Sequence, residues 1–258
     1  MLLEGREIVF RGNTGSWNYN LGREKDLLDL DGNVILKASD KDYKAFALPT
    51  FEELYSGQRF KKSVITATQD NDIHDVRKMA DLFFKSNLAY LEVLYSKDVY
   101  VNSYHPEMKE IYDLRHDIFK MNLPQMYKSL KGTYFEKMKN LDKGTEGTKY
   151  LVEQFTYDTK QAQHAYRYLD FGIKYAEKDF ESVEYALRYW GDAKEFIVSI
   201  LEGFFYKENF ERLTKFIYES RFLHLEEYYM AQPVNIELKE HLENLIMKMV
   251  KRSITAKF

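Results

Sequence analysis

The chain of 258 residues contains no cysteine, which excludes disulfide bonds, thiol catalysis and cysteine-ligated zinc. No apolar run approaches the roughly 18 residues that a membrane-spanning helix requires, so no membrane partner is expected. Near the N-terminus, Glu4, Arg6 and Glu7 interrupt the charged-then-apolar pattern of a secretory signal. These absences together predict a cytoplasmic protein.

The chain also has little excess charge, since 38 Lys and Arg residues against 41 Asp and Glu residues give a net charge of −3. Nonspecific binding to nucleic acid depends on Lys and Arg neutralising phosphates, so a protein that coats nucleic acid is disfavoured. A small anion such as a nucleotide remains compatible, because it needs only a few cations in one cleft. The Gly-x-Ser-x-Gly elbow, the Walker phosphate loop and the His-Glu-x-x-His zinc motif are all absent.

Short β-like runs separated by turn signals occupy the first part of the chain. EIVFRG, DYKAFALP and RFKKSVITATQDNDI are predicted to contain strands, the first ended by Gly12 and the second by Pro49. DLLDLDGNVILK predicts a hairpin with Asp31 and Gly32 as its two-residue turn. DVRKMADLFFKSN has apolar residues along one helical face and predicts a helix.

The pattern changes near residue 105. After Pro106, long amphipathic segments such as KYLVEQFTYDTKQAQHAYRYLDFGIKYAEK replace the β-like runs. The 21 Tyr and 18 Phe residues favour a core built largely from aromatic rings. The sequence therefore predicts an α+β fold, with a small mixed β-sheet domain at 1–105 followed by an α-helical domain at 106–258.

The segment GNTGSWNYNL combines a sharp turn with potential ligands for an anion. Gly15 lets the backbone turn after the first predicted strand, so that successive N–H groups and the Ser16 hydroxyl can point at an anion. A Gly-Ser pair is also common in ordinary turns, so this segment alone does not identify a phosphate site.

Two aspartates, Asp40 and Asp42, lie at the start of a predicted apolar strand. Residues i and i+2 of a strand face the same way, and two carboxylates placed so repel each other unless a cation binds both. Mg²⁺ suits such a site because it prefers carboxylate, phosphate and water oxygens. The alternative is a solvated strand start. A third carboxylate is expected on a neighbouring strand, where TQDNDIHD offers Asp70 and Asp72. Asp75, at the end of this segment, is expected at the N-terminus of the following helix, where the helix dipole favours an acidic residue.

The order of these pieces resembles the polymerase-β-type nucleotidyltransferase superfamily: a strand, Gly-Ser, an Asp-x-Asp strand and a third acidic strand. The closer resemblance is to its stand-alone predicted nucleotidyltransferases from bacteria and phages. There, GSWNYNL, SDKDYKAFALPTFEELY, DIHDVRKM and YDTKQAQHAYRYLD have counterparts. The resemblance covers the chain up to about residue 100 and the segment 157–170.

One spacing departs from that family pattern. The shorter distance usual between the serine and the first aspartate selects Asp29 and Asp31 here, rather than Asp40 and Asp42. Asp31 leads into a glycine turn, whereas Asp42 leads into the apolar strand that would hold metal ligands rigidly. We therefore prefer the later pair and expect an inserted hairpin at about residues 22–37, whose role is open.

The resemblance implies an enzyme that transfers a nucleoside monophosphate from a nucleoside triphosphate, such as ATP, to a hydroxyl acceptor and releases pyrophosphate. It implies Mg²⁺ or Mn²⁺ as the cofactor. It assigns the metal to Asp40, Asp42 and Asp70, with Asp72 as the alternative to Asp70, and it assigns the triphosphate to Gly15 and Ser16.

The same resemblance implies that the helical segment supplies cations to the nucleotide. Lys160, His164 and Arg167 lie at i, i+4 and i+7, which predicts a basic stripe on one helix face. A solvated helix face is the alternative interpretation. Lys44 and Arg77 are further candidates for binding phosphate.

The acceptor is open, since an RNA or tRNA end, a protein hydroxyl and a small molecule are all acceptors for this catalytic core. The low net positive charge favours a protein or a small molecule over long RNA. An alternative function is a catalytically inactive nucleotide-binding or protein-interaction module on the same scaffold. A further alternative is an unrelated α+β binding domain, in which Ser16 would lie far from the aspartates.

Overall fold

The structure is a computed structural model that describes residues 1–3, 5–65 and 69–255. Its strands are β1 (Leu2–Leu3), β2 (Arg6–Thr14), β3 (Leu27–Leu28), β4 (Val34–Leu36), β5 (Lys41–Ala47), β6 (Lys61–Ile65), β7 (Gln69–Asp75) and β8 (Val99–Val101). The predicted strand region RFKKSVITATQDNDI thus forms two strands, β6 and β7, and its residues 66–68 lie outside the described residues.

Thirteen α-helices are found in the described part of the chain. They are α1 (Phe51–Tyr55), α2 (Met79–Phe84), α3 (Leu88–Leu91), α4 (Pro106–Asp113), α5 (Arg115–Lys120), α6 (Leu123–Lys139), α7 (Lys149–Phe155), α8 (Thr159–Ala176), α9 (Val183–Leu187), α10 (Gly191–Leu201), α11 (Lys207–Ile217), α12 (Glu226–Met230) and α13 (Ile236–Thr255). None of these described helices is long and apolar enough to cross a membrane.

The main sheet is mixed and has the strand order β1-β2-β5-β7-β6, with β8 also paired to β2. β2 and β5 are antiparallel, β5 and β7 are parallel, and β6 and β7 are antiparallel. A mixed sheet near the N-terminus followed by many helices confirms the predicted α+β class.

The chain forms two compact units. The first consists of Met1–Asn18, Asp40–Leu123 and Pro233–Phe258, and the second consists of Tyr19–Ser39 and Pro124–Gln232. The predicted division into a catalytic domain at 1–105 and a helical domain at 106–258 concerns functional roles and remains a prediction.

Apolar residues on one face of the main sheet form a hydrophobic cluster in the core of the first unit. Ile8, Ala45, Ala47 and Ile73 are fully buried there, and Leu3, Phe60, Val64 and Tyr100 pack against them. On the opposite face the Phe46 ring contacts Phe10, Phe83 and His74. Polar residues lie on that second face near the first residues of β5 and β7.

The hairpin predicted from DLLDLDGNVILK is present as β3 and β4, and it belongs to the second unit. Its turn is longer than the predicted two residues, because the connection runs over 29–33. The Asp29 carboxylate explains the difference, since it accepts hydrogen bonds from the backbone N–H groups of Asp31 and Asn33 at 2.9 and 2.8 Å. Asp29 therefore shapes the turn of the inserted hairpin.

Aromatic packing dominates the core of the second unit. Tyr127 and Phe222 stack with ring centroids 4.8 Å apart, and Tyr229 donates a hydrogen bond to the Gly172 carbonyl at 2.8 Å. A Cβ atom on Gly172 would lie 2.7 Å from the Phe222 ring, so α8 approaches the ring this closely only because it carries glycine there. The prediction of a core built largely from rings holds in this unit.

Candidate active site

Asp42 and Asp70 lie side by side on neighbouring parallel strands, because β5 and β7 pair these two residues in register. Thr14 pairs with Asp42 on the other side, across the antiparallel ladder between β2 and β5. Residues in register on adjacent strands project from the same face of a sheet, and adjacent strands lie about 4.8 Å apart. The two carboxylates therefore share one face near the start of both strands.

Asp40 lies just outside this ladder. β5 begins at Lys41, so Asp40 precedes the strand, and its side chain is exposed whereas that of Asp42 is half-buried. The expectation that Asp40 and Asp42 face the same way assumed that both belong to the strand, and this assumption holds for Asp42 alone. A metal-binding role for Asp40 stays a prediction.

Among the described residues, no group of three or more His, Asp or Glu side chains is arranged to hold a metal ion. Asp42 and Asp70 nevertheless present two carboxylates on one face, and carboxylate oxygens are the protein ligands that Mg²⁺ and Mn²⁺ prefer. Mg²⁺ commonly takes only one or two carboxylates and completes its shell with water and phosphate oxygens. The donor chemistry of this pair fits a divalent cation.

The Gly-Ser turn lies directly against Asp42. Gly15 has a φ of +69°, in the left-handed region that favours glycine, and begins a 3₁₀ turn that includes Ser16 and ends at Trp17. A Cβ atom on Gly15 would lie 2.8 Å from Oδ2 of Asp42. The structure therefore brings the predicted phosphate turn and the predicted metal ligand together, and the interpretation as an unrelated binding domain, which required them to be far apart, is wrong.

A buried carboxylate, Glu92, holds the turn from behind. Its Oε1 accepts a hydrogen bond from the Gly15 N–H at 3.3 Å, and its backbone carbonyl accepts one from Nδ2 of Asn18 at 3.0 Å. Glu92 is only 4 % exposed. The Gly15 N–H is thus directed at Glu92, and phosphate binding by Gly15 and Ser16 stays a prediction.

A second glycine makes this arrangement possible. A Cβ atom on Gly12 would lie 2.7 Å from the carbonyl oxygen of Val93, in the 3₁₀ turn Glu92–Tyr95. Glycine at position 12 therefore allows that turn to pack directly on β2 and brings Glu92 to Gly15.

A second polar group lies two residues farther along the same face. Lys44 and Asp72 pair in register, and Ser63 on β6 pairs with Asp72. The Ser63 hydroxyl donates to Oδ1 of Asp72 at 2.6 Å, while Nζ of Lys44 and Nζ of Lys61 lie 3.9 and 3.7 Å from Oδ2. We call Lys44, Lys61, Ser63 and Asp72 the Lys44–Lys61 cluster.

The surroundings of Asp72 differ from those of Asp70. Burial alone would raise the pKa of Asp72, but the Ser63 hydrogen bond and the charges of Lys44 and Lys61 lower it below its usual value. Asp72 is therefore ionised and already has partners at both of its oxygens. This favours Asp70 over Asp72 as the carboxylate that joins Asp42.

His74 continues the same face of β7 into the core. Its ring lies against Tyr90 and Phe46, with centroid distances of 5.3 and 5.8 Å. Burial, together with the positive charge of Lys61, lowers the pKa of His74 from 6.5 to about 4. The imidazole is therefore neutral at neutral pH and belongs to the packed base of the site.

The opposite face of the same strands carries a hydrogen-bond network centred on Arg11. Its Nε donates to Oδ1 of Asn71 and its Nη2 to Oε1 of Gln69, both at 3.1 Å, so that it links β2 to β7. The Arg11 guanidinium stacks on the Tyr43 ring, with Cζ 3.4 Å from the ring centroid. Nδ2 of Asn13 also donates to the backbone carbonyl of Asp42 at 3.0 Å. These contacts fix the backbone that carries Asp42 and Asp70.

Arg77 has a structural role, in contrast to its prediction as a phosphate ligand. Its Nε and Nη2 donate to the Asp75 carboxylate, at 3.0 and 2.6 Å to the nearer oxygens, and Asp75 is fully buried. Asp75 also accepts a hydrogen bond from the Arg77 backbone N–H at 2.9 Å, which confirms its prediction as a residue at a helix N-terminus.

The three predicted nucleotide ligands of the helical segment all lie on α8, in the second unit, but they do not share one exposed surface. Lys160 is exposed, whereas Arg167 is only 6 % exposed and stacks on Tyr19 at 3.3 Å from the ring centroid. Burial and the charges of Arg167 and Lys160 lower the pKa of His164 well below its ordinary value, so His164 is neutral. The stripe therefore has two positive charges, and its binding role stays a prediction.

Sequence reasoning missed Glu92, Arg11, Asn13, Lys61 and Ser63, all of which the structure places at or behind the carboxylates. Each reaches the site through a contact between segments distant in the chain. No local pattern marks them. Glycine at position 12, which permits the close approach of the turn that carries Glu92, is a local signal that could have been used.

Comparison with known families agrees with this site. Residues 4–191 match the model of RlaP, the RNA repair pathway DNA polymerase beta family. No curated protein matches the chain. The family match covers most of the chain, including the Gly-Ser turn, β5, β7 and α8, and it confirms the resemblance drawn from the sequence motifs. The chain therefore belongs to the RNA repair pathway DNA polymerase beta family, a family of polymerase-β-like nucleotidyltransferases.

Proposed function

We propose that the protein transfers a nucleoside monophosphate from a nucleoside triphosphate to a hydroxyl at an RNA end and releases pyrophosphate. The observation that carries the proposal is the in-register pair Asp42 and Asp70, with Gly15 in contact distance of Asp42. The description of the family as one of an RNA repair pathway supports an RNA end as the acceptor over a protein or a small molecule.

In the proposed reaction, the acceptor hydroxyl oxygen forms a bond to the α-phosphorus while the bond from that phosphorus to the oxygen bridging the β-phosphate breaks. Pyrophosphate leaves with the electron pair of the broken bond. The hydroxyl proton passes to Asp70, acting as general base, and from there to water. Atoms and charges balance without any further reactant.

The residues have distinct proposed roles. Ser16 binds the β- and γ-phosphates. The Asp42 carboxylate would hold a divalent cation together with Asp70 and, as predicted from the sequence, Asp40. When bound, Mg²⁺ or Mn²⁺ supplies electrostatic stabilisation of the charge that develops on the phosphate oxygens. Glu92 acts as a positioning residue, because it fixes the turn that carries Ser16.

Lys160, His164 and Arg167 stay candidates for binding the nucleotide. Lys160 is the candidate for a phosphate contact because it is exposed and charged. His164 is neutral and so would offer a hydrogen bond rather than a charge. Arg167 is stacked on Tyr19, and would act by holding that ring in place.

The test is incubation of the purified protein with each α-³²P-labelled nucleoside triphosphate, Mg²⁺ or Mn²⁺, and a 12-nucleotide single-stranded RNA with a free 3′ hydroxyl. Asp42→Asn and Asp70→Asn are compared with Asp113→Asn, a change at an exposed residue of α4. Label is expected on the RNA with the wild type and with Asp113→Asn, and it is lost with the other two variants. Metal-dependent nucleotide binding without any transfer would instead support the inactive module.

A further inference from the structure

We propose that the Lys44–Lys61 cluster binds a backbone phosphate of the acceptor RNA, close to the end that reacts. This inference takes RNA as the acceptor from the proposed function, whereas the position and chemistry of the cluster come from the sheet itself. It assigns a binding role to Lys61 and Ser63 on β6, a strand to which the sequence motifs gave no role.

The order of the strands separates this cluster from the phosphate turn. The turn at Gly15 and Ser16 continues β2, and the strands then follow in the order β5, β7 and β6. Asp42 on β5 lies against the turn, Asp70 lies on β7, and Lys61 lies beyond them on the edge strand β6. If the triphosphate binds at the turn, the acceptor strand has to approach Asp70 from the β6 side.

The distance along the sheet from Asp42 and Asp70 to the cluster suits the next phosphate of the same RNA chain. Lys44 lies two residues beyond Asp42 on β5, and Asp72 lies two residues beyond Asp70 on β7. Two residues of a strand span about 6.6 Å, and their side chains project from the same face. An RNA chain whose terminal hydroxyl lies at Asp70 can therefore place its last backbone phosphate over the cluster.

The charges of the cluster are those of an anion site. Two ammonium groups share one oxygen of Asp72, at 3.9 and 3.7 Å, which leaves one net positive charge. These distances exceed those of direct charge-assisted hydrogen bonds, about 2.7–2.9 Å, so both ammonium groups keep donors for another acceptor. Asp72, fixed by the Ser63 hydroxyl at 2.6 Å, holds the two lysines near each other without fully neutralising them.

Lys44 also differs from an ordinary surface lysine. Its side chain is only 17 % exposed, and its ammonium lies 5.4 Å from the centroid of the Tyr90 ring. Lys61 is half-exposed at the edge of the sheet. Lys44 is thus a partly buried cation with a fixed orientation, and Lys61 is a cation that an RNA chain can reach from solvent.

The test measures RNA binding by the full-length protein. The probe is a fluorescein-labelled 12-nucleotide single-stranded RNA with a 3′ hydroxyl, followed by anisotropy at several KCl concentrations. Lys61→Ala is the main variant, and Lys44→Met, which retains the apolar stem, is the second. Lys62→Ala is the matched control, because Lys62 is an exposed neighbour on β6 whose register with Ile73 places it on the opposite face.

We expect Lys61→Ala to weaken RNA binding about tenfold at low salt, as the loss of one hydrogen bond between charged groups does. The slope of log affinity against log salt should fall by about 0.7, the value for one lost phosphate contact on a single strand. Lys62→Ala should leave the affinity and the slope unchanged. An RNA with a methylphosphonate in its last linkage should bind the wild type as weakly as the natural RNA binds Lys61→Ala.

A binding measurement with a fluorescent ATP analogue separates this site from the triphosphate site, because Lys61→Ala should leave that affinity unchanged. Equal loss of ATP and RNA affinity would overturn the inference, and so would identical behaviour of Lys61→Ala and Lys62→Ala or the absence of RNA binding by the wild type. RNA binding that depends on Lys61 would support the inference even if no nucleotide were transferred, so its failure and that of the proposed function are distinguishable. Thermal unfolding verifies that each variant is folded.

Discussion

Gly15 and Asp42 are so close that a Cβ atom on Gly15 would lie 2.8 Å from Oδ2 of Asp42. The contact joins the end of β2 to the carboxylate that pairs in register with Asp70 on β7. It places the two motifs that the sequence singled out, a Gly-Ser turn and an aspartate strand, at one point of the sheet.

Gly15→Ala should abolish nucleotide transfer while leaving the protein folded. The new methyl group would press on the Asp42 carboxylate, and the residue would also have to keep a φ of +69°. The positive φ costs about 1–2 kcal/mol of unfolding free energy, which thermal or urea unfolding will measure. The transfer assay measures the effect of the methyl group on Asp42.

Gly57→Ala is the control for this change. Gly57 also has a positive φ, +70°, but a Cβ atom there would meet nothing within 4 Å. Both variants should therefore lose the stability that the positive φ costs, and only Gly15→Ala should lose activity. If the two variants kept equal activity, the contact with Asp42 would have no functional importance.

Asp70→Asn should weaken Mn²⁺ binding, whereas Asp72→Asn should change it little. Asp70 lies in register with Asp42, while the oxygens of Asp72 already have Ser63, Lys44 and Lys61 as partners. Electron paramagnetic resonance of free Mn²⁺, with a nonhydrolysable ATP analogue present, measures the affinity for Mn²⁺. Asp70→Asn should lower this affinity by more than about tenfold. A change within twofold is expected for Asp72→Asn.

Removal of the metal gives an independent check on the same assignment. Chelation with EDTA should stop transfer by the wild type, and added Mn²⁺ should restore it. Asp72 would replace Asp70 as the proposed ligand if its substitution weakened Mn²⁺ binding as strongly as that of Asp70.

Glu92→Ala should slow nucleotide transfer, and Glu92→Gln should largely preserve it. Glu92 acts through the Gly15 N–H, which donates to its Oε1, and glutamine retains an oxygen that can accept this hydrogen bond. Displacement of the turn in the alanine variant should lower kcat by about 10- to 100-fold, the scale of a misplaced reacting group. Steady-state kinetics with both variants measures the difference.

A purely structural role for Glu92 would give a different result. The alanine and glutamine variants would then differ in stability only, with kcat equal to that of the wild type once both were folded. Recovery of kcat by glutamine alone is the result expected for a positioning residue.

The elements that the sequence predicted well are those with local signals. The hairpin at β3 and β4, the strand β5 and the cap at Asp75 each follow from a few adjacent residues. The family resemblance likewise depended on short motifs. Its usual spacing pointed to Asp29 and Asp31, and the apolar strand that follows Asp42 was the reason to prefer Asp42 over Asp31.

The features that could not be predicted depend on contacts between distant segments. The sequence near Asp70 does not indicate that β7 pairs with β5 in parallel and in this register. That register alone decides which aspartate lies beside Asp42. Glu92 reaches Gly15 across 77 positions of the chain. The helix α13 belongs to the first unit, where Lys239 lies 3.2 Å from Asp81, although its sequence reads only as one more amphipathic helix.

His74 makes the stability of the protein depend on pH. In the unfolded chain its pKa is near 6.5, whereas burial in the folded protein lowers the pKa to about 4. Between these values the unfolded state binds a proton that the folded state does not, so the folded state loses stability as the pH falls from 6.5 towards 4. The difference amounts to at most about 3 kcal/mol of unfolding free energy.

His74→Phe should remove this part of the pH dependence, because phenylalanine fits an environment already formed by Phe46 and Tyr90 and does not titrate. Urea unfolding at pH 4.5, 5.5 and 6.5 measures the change, and the carboxylates, which titrate in both proteins, contribute equally to each. The wild type should therefore lose more stability than the variant over this range. If the unfolding free energies of the two proteins changed in parallel with pH, the imidazole would be protonated in the folded protein at these pH values. That result would contradict a neutral His74 in the packed base of the site.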